Sequence, residues 1–409
     1  MKNIVTLIGL LPNYEEVRNI CAQEAEADYI LKLAIGHIKS VQENVEELIT
    51  PCTEEVTYLL QSLVDKYWER IHTGHFSEVP LHIRQIYAIA IYFKIFYNLF
   101  ESTQITQVEK CSEILDDAIL IGCTQDLYAD GNQLQKELFQ LFDERLATSV
   151  GTVLPIIAPL QPQSYPCDVP QLDCPSVEFF RQHYFDHQQP VLMFNTIQHW
   201  PALKKWPDLN YILRIAGNRR VPIEIGSNYA TEDWSQQLVK IRDFLQRQFS
   251  PQHKMKSDHD HHYIEYLAQH ELFDQIPTLK SDICTPDYCS LGLQTDPIDI
   301  KAWLGPGGTI SPLHFDPKNN LLCQVFGAKK ILLAAPENTR NLYPHDTEFL
   351  SNTSQIDAEY LDMDKYPLLE HVKFYALTLQ PGDCLYIPPK WWHYVRALSE
   401  SFSVSFWWE

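Results

Sequence analysis

The sequence predicts an α+β protein in which an all-α N-terminal half precedes a β-rich C-terminal half, a barrel or jelly roll with helical decoration. Residues 1–150 contain few prolines and repeat apolar side chains at helical spacing. Six prolines then fall between Gly151 and Pro175. After Ser176 the apolar pattern mostly alternates at every second residue, which is typical of strands.

Two segments of the N-terminal half show the helical pattern most clearly. Residues 54–71, EEVTYLLQSLVDKYWERI, place apolar side chains three and four residues apart, and residues 79–100 are apolar enough to predict a mostly buried helix. Further helical patterns lie within residues 1–51 and 108–146. We predict antiparallel helix pairs, with a solenoid as the open alternative. We interpret residues 1–150 as a helical scaffold or docking domain.

Residues 151–175 form the boundary between the two halves. Their proline density precludes a helix, because proline lacks the backbone N–H and clashes with the preceding turn. We therefore predict a proline-rich linker or an extended strap across a surface.

The C-terminal half is predicted to contain short strands separated by turn signals such as Gly-Pro-Gly-Gly at 305–308. The predicted strands are 190–194, 298–303, 321–326, 331–334, 374–379, 384–387 and 402–407. Helices are predicted at 233–248 and 263–273. The histidine-rich patch SDHDHHY, residues 257–263, is predicted to be a solvated loop, with adventitious metal binding as the alternative. Many short strands of this kind favour a barrel or jelly roll.

Charge and cysteine usage narrow the classes of partner. The chain has 32 basic and 53 acidic residues, a net charge of −21, which disfavours direct nucleic-acid binding. Such a surface attracts a basic protein or peptide, although solubility alone explains the same charge. The ten cysteines are scattered without a C-x-x-C pair, which indicates a reducing compartment. No apolar run of about 18 residues predicts a membrane span.

The candidate metal motif is His314-Phe315-Asp316. Successive side chains of a strand alternate between faces, so His314 and Asp316 project from one face and can bind one ion. A solvated strand histidine would satisfy the triplet equally well. The third ligand comes from His393, which follows a turn, a strand and a rigid Pro-Pro bend. Two histidines and one carboxylate form the facial triad of non-haem Fe(II) oxygenases, which leaves coordination positions open.

Open positions on the metal need an occupant. If that is 2-oxoglutarate, its ketone and C1 carboxylate chelate the metal, and its far carboxylate needs a cation inside the barrel. Lys329 and Lys330 head an otherwise apolar strand, where a lysine is costly to bury without an anionic partner. The pattern alone does not choose between the two lysines, and a pair of exposed edge lysines is the alternative.

Long segments of the C-terminal half resemble the JmjC-domain 2-oxoglutarate oxygenases. The resemblance covers residues 174–409 and rests on RVPIEIGSNYATEDWSQ, YLAQHELFDQIP, DYCSLG, WLGPGGTISPLHFDP, YPHD and WWHYVRALSESFSVSFWWE. It implies that residues 176–409 are a JmjC catalytic domain with the double-stranded β-helix fold, the cupin/JmjC jelly roll. It also implies Fe(II), O2 and the co-substrate 2-oxoglutarate.

The resemblance assigns roles to particular residues. It implies that Fe(II) is bound by His314, Asp316 and His393, with no catalytic residue beyond these ligands. It implies a co-substrate pocket made of Lys329 for the C5 carboxylate, helped by Ser311 and Tyr266, of Asn320 for the C1 carboxylate, and of Gln269 and Trp303 as lining. Ser311 has the opposite strand parity from His314, and Pro312 is the residue that could break the pleat between them.

The resemblance also implies a substrate class. Glu224 and Trp234 match positions with which the family's arginine-hydroxylating member grips its substrate side chain. A carboxylate can clamp a guanidinium and an aromatic face can stack on it. From the pattern alone, the two residues would be a strand-edge carboxylate and a core tryptophan. The expected substrate is an arginine in a basic protein, namely a histone, ribosomal or chromatin-associated protein, in the nucleus and also the cytoplasm.

Three questions stay open at this point. A histone lysine N-methyl demethylase would use the same iron chemistry on an N-methyl group. A non-catalytic cupin-type binding scaffold is the alternative from another class, although an intact triad argues against it. The oligomeric state is also open, with a dimer as one alternative.

Overall fold

The structure is a computed structural model that describes residues 2–43, 51–122, 124, 127–146, 153–158, 167–231, 233–250, 264–293, 295–347 and 350–409. The histidine-rich patch, residues 257–263, lies outside them. The chain divides into two compact units. One comprises Met1–Gly151 with Asn218–Arg220, and the other comprises Thr152–Gly217 with Val221–Glu409.

The first unit is helical, as the periodicity predicts. Its helices are α1 (Lys2–Ile8), α2 (Tyr14–Ile20), α3 (Ala25–Glu43), α4 (Pro51–Ile71), α5 (Leu81–Glu101), α6 (Ile105–Leu120) and α7 (Gly131–Leu146). Helix α5 is apolar on nearly every side and packs against both α4 and α6, which explains why most of its residues are buried. In the described part of the chain, no helix combines the length and apolar character needed to cross a membrane.

The second unit is built on two β-sheets. Its strands are β1 (Gln171–Asp173), β2 (Val191–Phe194), β3 (Arg220–Ile225), β4 (Ser235–Lys240), β5 (Glu265–His270), β6 (Asp299–Gly305), β7 (Ile310–Phe315), β8 (Asn319–Phe326), β9 (Lys329–Ala334), β10 (Phe374–Leu379), β11 (Cys384–Ile387), β12 (Trp392–Ala397) and β13 (Ser401–Trp408). Among the described residues, one sheet has the order β1-β2-β11-β8-β13-β6-β5-β3-β4 and the other β10-β9-β12-β7. This arrangement confirms the predicted fold class, a helical N-terminal half followed by a cupin-type jelly roll.

Short helices decorate the sheets of this unit. They are α8 (Val177–Phe180), α9 (Ala202–Lys205), α10 (Leu209–Ala216), α11 (Ile241–Phe249), α12 (Leu272–Gln275) and α13 (Pro277–Lys280). A π-helical turn, Arg181–Phe185, follows α8 directly, and the turns Asp287–Ser290, Pro336–Leu342 and Pro367–His371 are 3₁₀-helical. The decoration covers the outer faces of the sheets, which is why so many strand residues are buried on both sides.

Two predicted helices are wrong in their first parts. Residues 233–248 begin with strand β4 and become helical only at Ile241, and the described part of 263–273 is strand β5 followed by the short helix α12. The helix-forming residues Leu and Gln occur in both segments. However, β5 pairs with β3 and β6, and β4 lies beside β3, so pairing within the sheet overrides the local helical preference.

The described residues of the proline-rich segment run in an extended conformation along the second unit. Strand β1 pairs in parallel with β2, with Gln171 opposite Leu192. Just before it, the backbone N–H of Asp168 donates to the carbonyl of Ala376, and the Asp168 carboxylate accepts from the Ala376 N–H at 2.9 Å. Proline at a strand edge is compatible with this arrangement, because an edge strand leaves some N–H groups unpaired.

Strand β8 shows how the two layers are filled. All eight of its residues are buried. Leu321, Cys323 and Val325 pack into the cluster that the short helices cover, whereas Leu322 packs into the cluster between the two sheets. Successive side chains therefore enter different cores. A third cluster covers the outer face of the smaller sheet with residues from 342–372.

Candidate active site

A cavity lies between the two sheets, and it brings most of the predicted site residues together. It is lined by Tyr266, Trp303, Ser311, His314, Asp316, Asn320, Leu322, Lys329, Ile387, His393, Val395, Ser405 and Trp407. These residues come from β5, β6, β7, β8, β9, β11, β12 and β13, apart from Asp316, which directly follows β7. Both sheets therefore contribute to one site.

His314, Asp316 and His393 converge at this cavity. His314 and His393 face each other across the β7–β12 pair, with ring centroids 4.1 Å apart. The Nε2 atom of His393 is 3.6 Å from Oδ2 of Asp316, and one ligand atom from each residue lies within 4.8 Å of the others. The three side chains can therefore reach a single ion.

Each histidine ring is oriented by a backbone carbonyl. Nδ1 of His314 is 2.7 Å from the carbonyl oxygen of Pro312, and Nδ1 of His393 is 3.0 Å from that of Trp391. Each Nδ1 therefore carries the proton and donates it, which leaves Nε2 with a lone pair for a metal. Burial lowers the pKa of His393, and the neighbouring His314 lowers it further, so the neutral imidazole that a metal requires is favoured.

A β-bulge explains why Ser311 and His314 line the same cavity despite their opposite parity. His393 pairs with His314, and Val395 pairs with Ser311, so three steps on β7 match two steps on β12. The extra residue lies at Pro312-Leu313, where the sequence indicates that the pleat could break. A bulge of this kind shifts the facing of the residues beyond it. It also places the Pro312 carbonyl where His314 donates its hydrogen bond.

Asp316 provides a direct test of whether a cation fits. It lies one residue past the end of β7, and its backbone carbonyl accepts a hydrogen bond from the N–H of Lys390 at 2.8 Å. Its Oδ2 atom is buried and has no hydrogen-bond partner among the described residues. A buried carboxylate oxygen without a partner is costly unless a cation binds it. The donor set of two imidazoles and one carboxylate is the one that suits Fe(II).

The structure distinguishes the two candidate lysines. Lys329 is 1% exposed and points into the cavity, whereas Lys330 points to the other face, where Glu359 lies 3.8 Å away. Nζ of Lys329 donates to the hydroxyl of Tyr266 at 3.2 Å, and no described carboxylate forms an ion pair with it. Burial lowers the pKa of Lys329 to about 7. An ammonium buried in this way is suited to an anionic ligand.

Gly327 sets the position of Lys329. Its φ angle is +72°, and a Cβ atom there would lie 1.9 Å from the carbonyl oxygen of Glu400. Only glycine permits this close approach, which turns the chain from β8 into β9 two residues before Lys329.

The other co-substrate residues implied by the resemblance lie in the same cavity, with one exception. Asn320 is buried, and its Oδ1 atom has no partner among the described residues, so it is available to a ligand. Trp303 donates its indole N–H to Ser405 at 2.7 Å. Gln269, in contrast, is exposed in a bulge of β5, has a φ angle of +52°, and does not line the cavity. The bulge between Leu267 and His270 turns it away from the site.

Five lining residues are absent from the predicted site set, namely Leu322, Ile387, Val395, Ser405 and Trp407. Leu322, Ile387 and Trp407 fall in predicted apolar strands, Val395 lies outside the predicted strands, and Ser405 is a small residue in the aromatic strand β13. Trp407 stands directly opposite Asn320 in the β13–β8 pair, and its buried Nε1 has no described partner. Only the strand register, which the sequence does not contain, identifies these residues.

The two predicted substrate residues lie together beside the cavity. Trp234 lies close enough to Glu224 for its side chain to lower the pKa of that carboxyl, and Glu224 stands opposite Tyr266 in the β3–β5 pair. Trp234 is 38% exposed, which corrects the pattern-based alternative of a core tryptophan. Neither residue lines the inner cavity itself.

Comparison with known proteins places this site in a family. The family model of the cupin-like domain matches residues 176–409. The chain is 57% identical, over 98% of its length and 98% of the relative, to Jumonji C domain-containing protein 5 of Drosophila melanogaster. It is 34% identical to lysine-specific demethylase 8 of Danio rerio over 94% of the chain and 96% of that relative. The chain belongs to the cupin-like JmjC family.

A third relative matches somewhat more than half of this chain. Lysine-specific demethylase JMJ30 of Arabidopsis thaliana is 45% identical over 57% of this chain and 53% of its own length. As a JmjC protein, the chain is a 2-oxoglutarate-dependent oxygenase that uses Fe(II), and the His-Asp-His triad is compatible with that metal. The binding-scaffold alternative is therefore not supported.

Proposed function

We propose that this oxygenase hydroxylates an arginine side chain of a basic protein. The observation that carries the proposal is the Glu224–Trp234 pair beside the cavity. Glu224 is half-buried, and burial raises its pKa, while the side chain of Trp234 lowers it. No described lysine, arginine or histidine forms an ion pair with Glu224. A cationic substrate group would therefore offset the cost of desolvating this carboxylate.

Guanidinium suits this pair better than an alkylammonium. It is planar, presents several N–H donors to one carboxylate, and stacks on aromatic faces. Glu224 supplies the carboxylate, and the partly exposed ring of Trp234 supplies the face. Because Glu224 stands opposite Tyr266, which also binds Lys329, the pair lies next to the co-substrate pocket.

The proposed division of labour follows from the chemistry of each group. When Fe(II) and 2-oxoglutarate are bound, reaction with O2 supplies the oxygen atom for an unactivated C–H bond and releases succinate and CO2. His314, Asp316 and His393 would bind the metal on one side. Lys329 and Tyr266, with Ser311, would hold the far carboxylate of the co-substrate, and Asn320 its C1 carboxylate. The apolar lining would exclude water.

We further propose the location and the division of the chain. Residues 176–409 act as the catalytic domain, 151–175 as a linker, and 1–150 as a helical scaffold or docking domain. The net charge of −21 supports a basic partner such as a histone, ribosomal or chromatin-associated protein. We propose that the protein works in the nucleus and also in the cytoplasm.

Lysine N-methyl demethylation is the second candidate, because relatives of this chain are named lysine-specific demethylases. The same chemistry would hydroxylate an N-methyl carbon, which then leaves as formaldehyde. An ammonium would bind Glu224 less well than a guanidinium would, because it lacks the planar pair of N–H donors that a carboxylate accepts together and the flat face that stacks on Trp234.

The mass of the product distinguishes the two reactions. The purified protein is incubated with Fe(II), 2-oxoglutarate and matched peptides that contain arginine or methylated lysine at one position. A gain of one oxygen atom on the arginine peptide, with equivalent succinate, supports hydroxylation. Loss of a methyl group from the lysine peptide, with no change in the arginine peptide, overturns the proposal in favour of demethylation.

Two substitutions locate the effect. Glu224→Gln keeps the size of the side chain and removes its charge, so it should lower kcat/KM for the arginine peptide by about tenfold to a hundredfold, the value of a charge-assisted hydrogen bond. Glu337→Gln, at an exposed carboxylate with no described partner, is the matched control and should change nothing. Equal activity of both variants would contradict the role of Glu224.

A further inference from the structure

A closed loop carries Trp234 beside the cavity. This clamp loop, residues 226–234 without the undescribed residue 232, begins at Gly226, whose N–H donates to the carbonyl of Ile264. Hydrogen bonds join the two ends of the loop: Oδ2 of Asp233 accepts from both the N–H and the hydroxyl of Ser227, at 3.0 and 2.9 Å. Gly226 has a φ angle of +124°, and a Cβ there would meet the Asp233 carbonyl at 2.7 Å. The first and last residues of the loop are therefore held close together.

Tyr229 of the clamp loop reaches toward the iron ligands. Its ring meets the ring of His314 edge to face, with centroids 6.2 Å apart and planes at 89°. Its hydroxyl lies 3.3 Å from Oγ1 of Thr353. Burial raises the pKa of Tyr229 to about 12, and the carboxylates of Asp316 and Glu224 add to this. The neutral phenol therefore lies between the proposed substrate clamp and the metal triad.

Thr353 belongs to a segment whose backbone is hydrogen-bonded to strand β7. Its backbone forms an isolated antiparallel bridge with His314. On either side, the N–H of Phe315 donates to the carbonyl of Asn352 at 3.0 Å, and the N–H of Ser354 donates to that of Leu313 at 2.8 Å. Residues 352–354 thus hold the part of β7 that presents His314, and Thr353 is fully buried there.

From these contacts we infer that Tyr229 is a positioning residue that joins the clamp loop to the strand carrying His314, and so ties consumption of 2-oxoglutarate to a bound substrate. The inference rests on the proposed function for the identity of the substrate. A guanidinium bound by Glu224 and Trp234 would restrict the motion of the clamp loop, which follows Glu224, ends at Trp234 and contains Tyr229. Because Tyr229 contacts Thr353, and Thr353 pairs with His314, the bound substrate would also restrict the backbone of His314.

The first test compares Tyr229→Phe with Tyr360→Phe. Tyr360 is 79% exposed and lies outside the site. Tyr360→Phe is therefore the matched control, because it also removes one phenol hydroxyl. Succinate and hydroxyarginine are measured in the same reactions. In Tyr229→Phe the ratio of succinate to hydroxyarginine should rise about fivefold, the equivalent of one neutral hydrogen bond, with little change in the KM for 2-oxoglutarate. A merely structural loss would lower both products together and leave the ratio unchanged, which would overturn the inference.

The second test needs no substrate and no turnover. Co(II) is titrated into the metal-free protein with 2-oxoglutarate, and its visible absorption reports binding at the triad. Tyr229→Phe and Thr353→Val should each weaken Co(II) binding by about fivefold, and the double variant should weaken it no further, because both remove the same link. Additive effects, or none, would show that the link does not exist.

The two tests separate the inference from the function it rests on. If the wild-type protein hydroxylates no arginine peptide, the proposed substrate is wrong, but the Co(II) titrations still decide whether Tyr229 acts on the triad. If arginine is hydroxylated and Tyr229→Phe leaves both the product ratio and Co(II) binding unchanged, the function stands and the inference is overturned.

Discussion

Replacing Lys329 by methionine should stabilise the protein without co-substrate and at the same time destroy its binding of 2-oxoglutarate. Methionine has nearly the same length as lysine but lacks the ammonium. Lys329 is 1% exposed and has no described acidic partner, so without an anionic ligand its charge is a cost to folding. We propose that the ammonium of Lys329 serves 2-oxoglutarate binding and lowers the stability of the protein without this ligand.

The size of this cost follows from the pKa of Lys329, which burial lowers from 10.5 to about 7. Between these values the unfolded chain binds more protons than the folded one, so the stability of the wild-type protein rises with pH from about 7 to 10.5. At pH 7 the shift corresponds to about 4 kcal/mol of destabilisation. Lys329→Met should recover most of this free energy of unfolding. The difference in stability between the variant and the wild type should become smaller as the pH approaches 10.5.

Urea unfolding of the metal-free protein, followed by tryptophan fluorescence, measures this effect. Every tryptophan except Trp68 lies in the second unit, so the signal reports that unit. Lys330→Met is the matched control, because Lys330 is 40% exposed and an exposed ion pair contributes about 0–1 kcal/mol. Added 2-oxoglutarate with metal should raise the unfolding midpoint of the wild type and of the control, but not that of Lys329→Met. A Lys329→Met protein that is less stable than the wild type would refute the reasoning.

Three further predictions follow from the same site. Because Lys329 is neutral above its pKa of about 7, the Kd for 2-oxoglutarate should rise about tenfold per pH unit between pH 7 and 9, measured by calorimetry, and a flat profile would contradict this. Gly327→Ala should cost about 1–3 kcal/mol and weaken 2-oxoglutarate binding, since a Cβ there meets the Glu400 carbonyl at 1.9 Å; an unchanged melting temperature would count against it. Asp316→Asn should lower Fe(II) affinity by more than about tenfold, which metal analysis after dialysis can check, because the carboxylate is one of the three predicted metal ligands.

Local patterns predicted seven of the described strands and the three candidate metal ligands, but not β12, which carries His393. The apolar runs at 374–379 and 384–387 coincide with β10 and β11, because each strand fills a continuous core. His314 and Asp316 fall near one another because strand alternation is a local property. His393 is distant in sequence, and it was predicted as the third ligand from the turn, the strand and the Pro-Pro bend that precede it.

Apart from the possible break of the pleat at Pro312, the register of the paired sheets could not be predicted from local patterns in the sequence. The bulge at Pro312-Leu313 depends on the register between β7 and β12, and it decides that Ser311 shares the cavity with His314. Register also decides that Lys329 points inward and Lys330 outward, and it brings Trp407 opposite Asn320. Such long-range pairing leaves no local signal.

Two other differences have the same origin. The segment 263–273 is rich in helix-forming residues, yet its described part begins as strand β5, because β3 and β6 pair with it. The contact between Tyr229 and Thr353 joins residues that are 124 positions apart. Neither residue stands out in the sequence, and only the folded chain brings them together beside His314.

The transfer of oxygen from O2 into the substrate tests the proposed hydroxylation directly. The protein is incubated with Fe(II), 2-oxoglutarate and an arginine peptide under ¹⁸O2, and peptide and succinate are analysed together. We expect one ¹⁸O atom on the arginine side chain for each succinate formed, with both products lost in His314→Ala. Succinate release without labelled peptide, or labelling that persists in His314→Ala, would contradict this expectation.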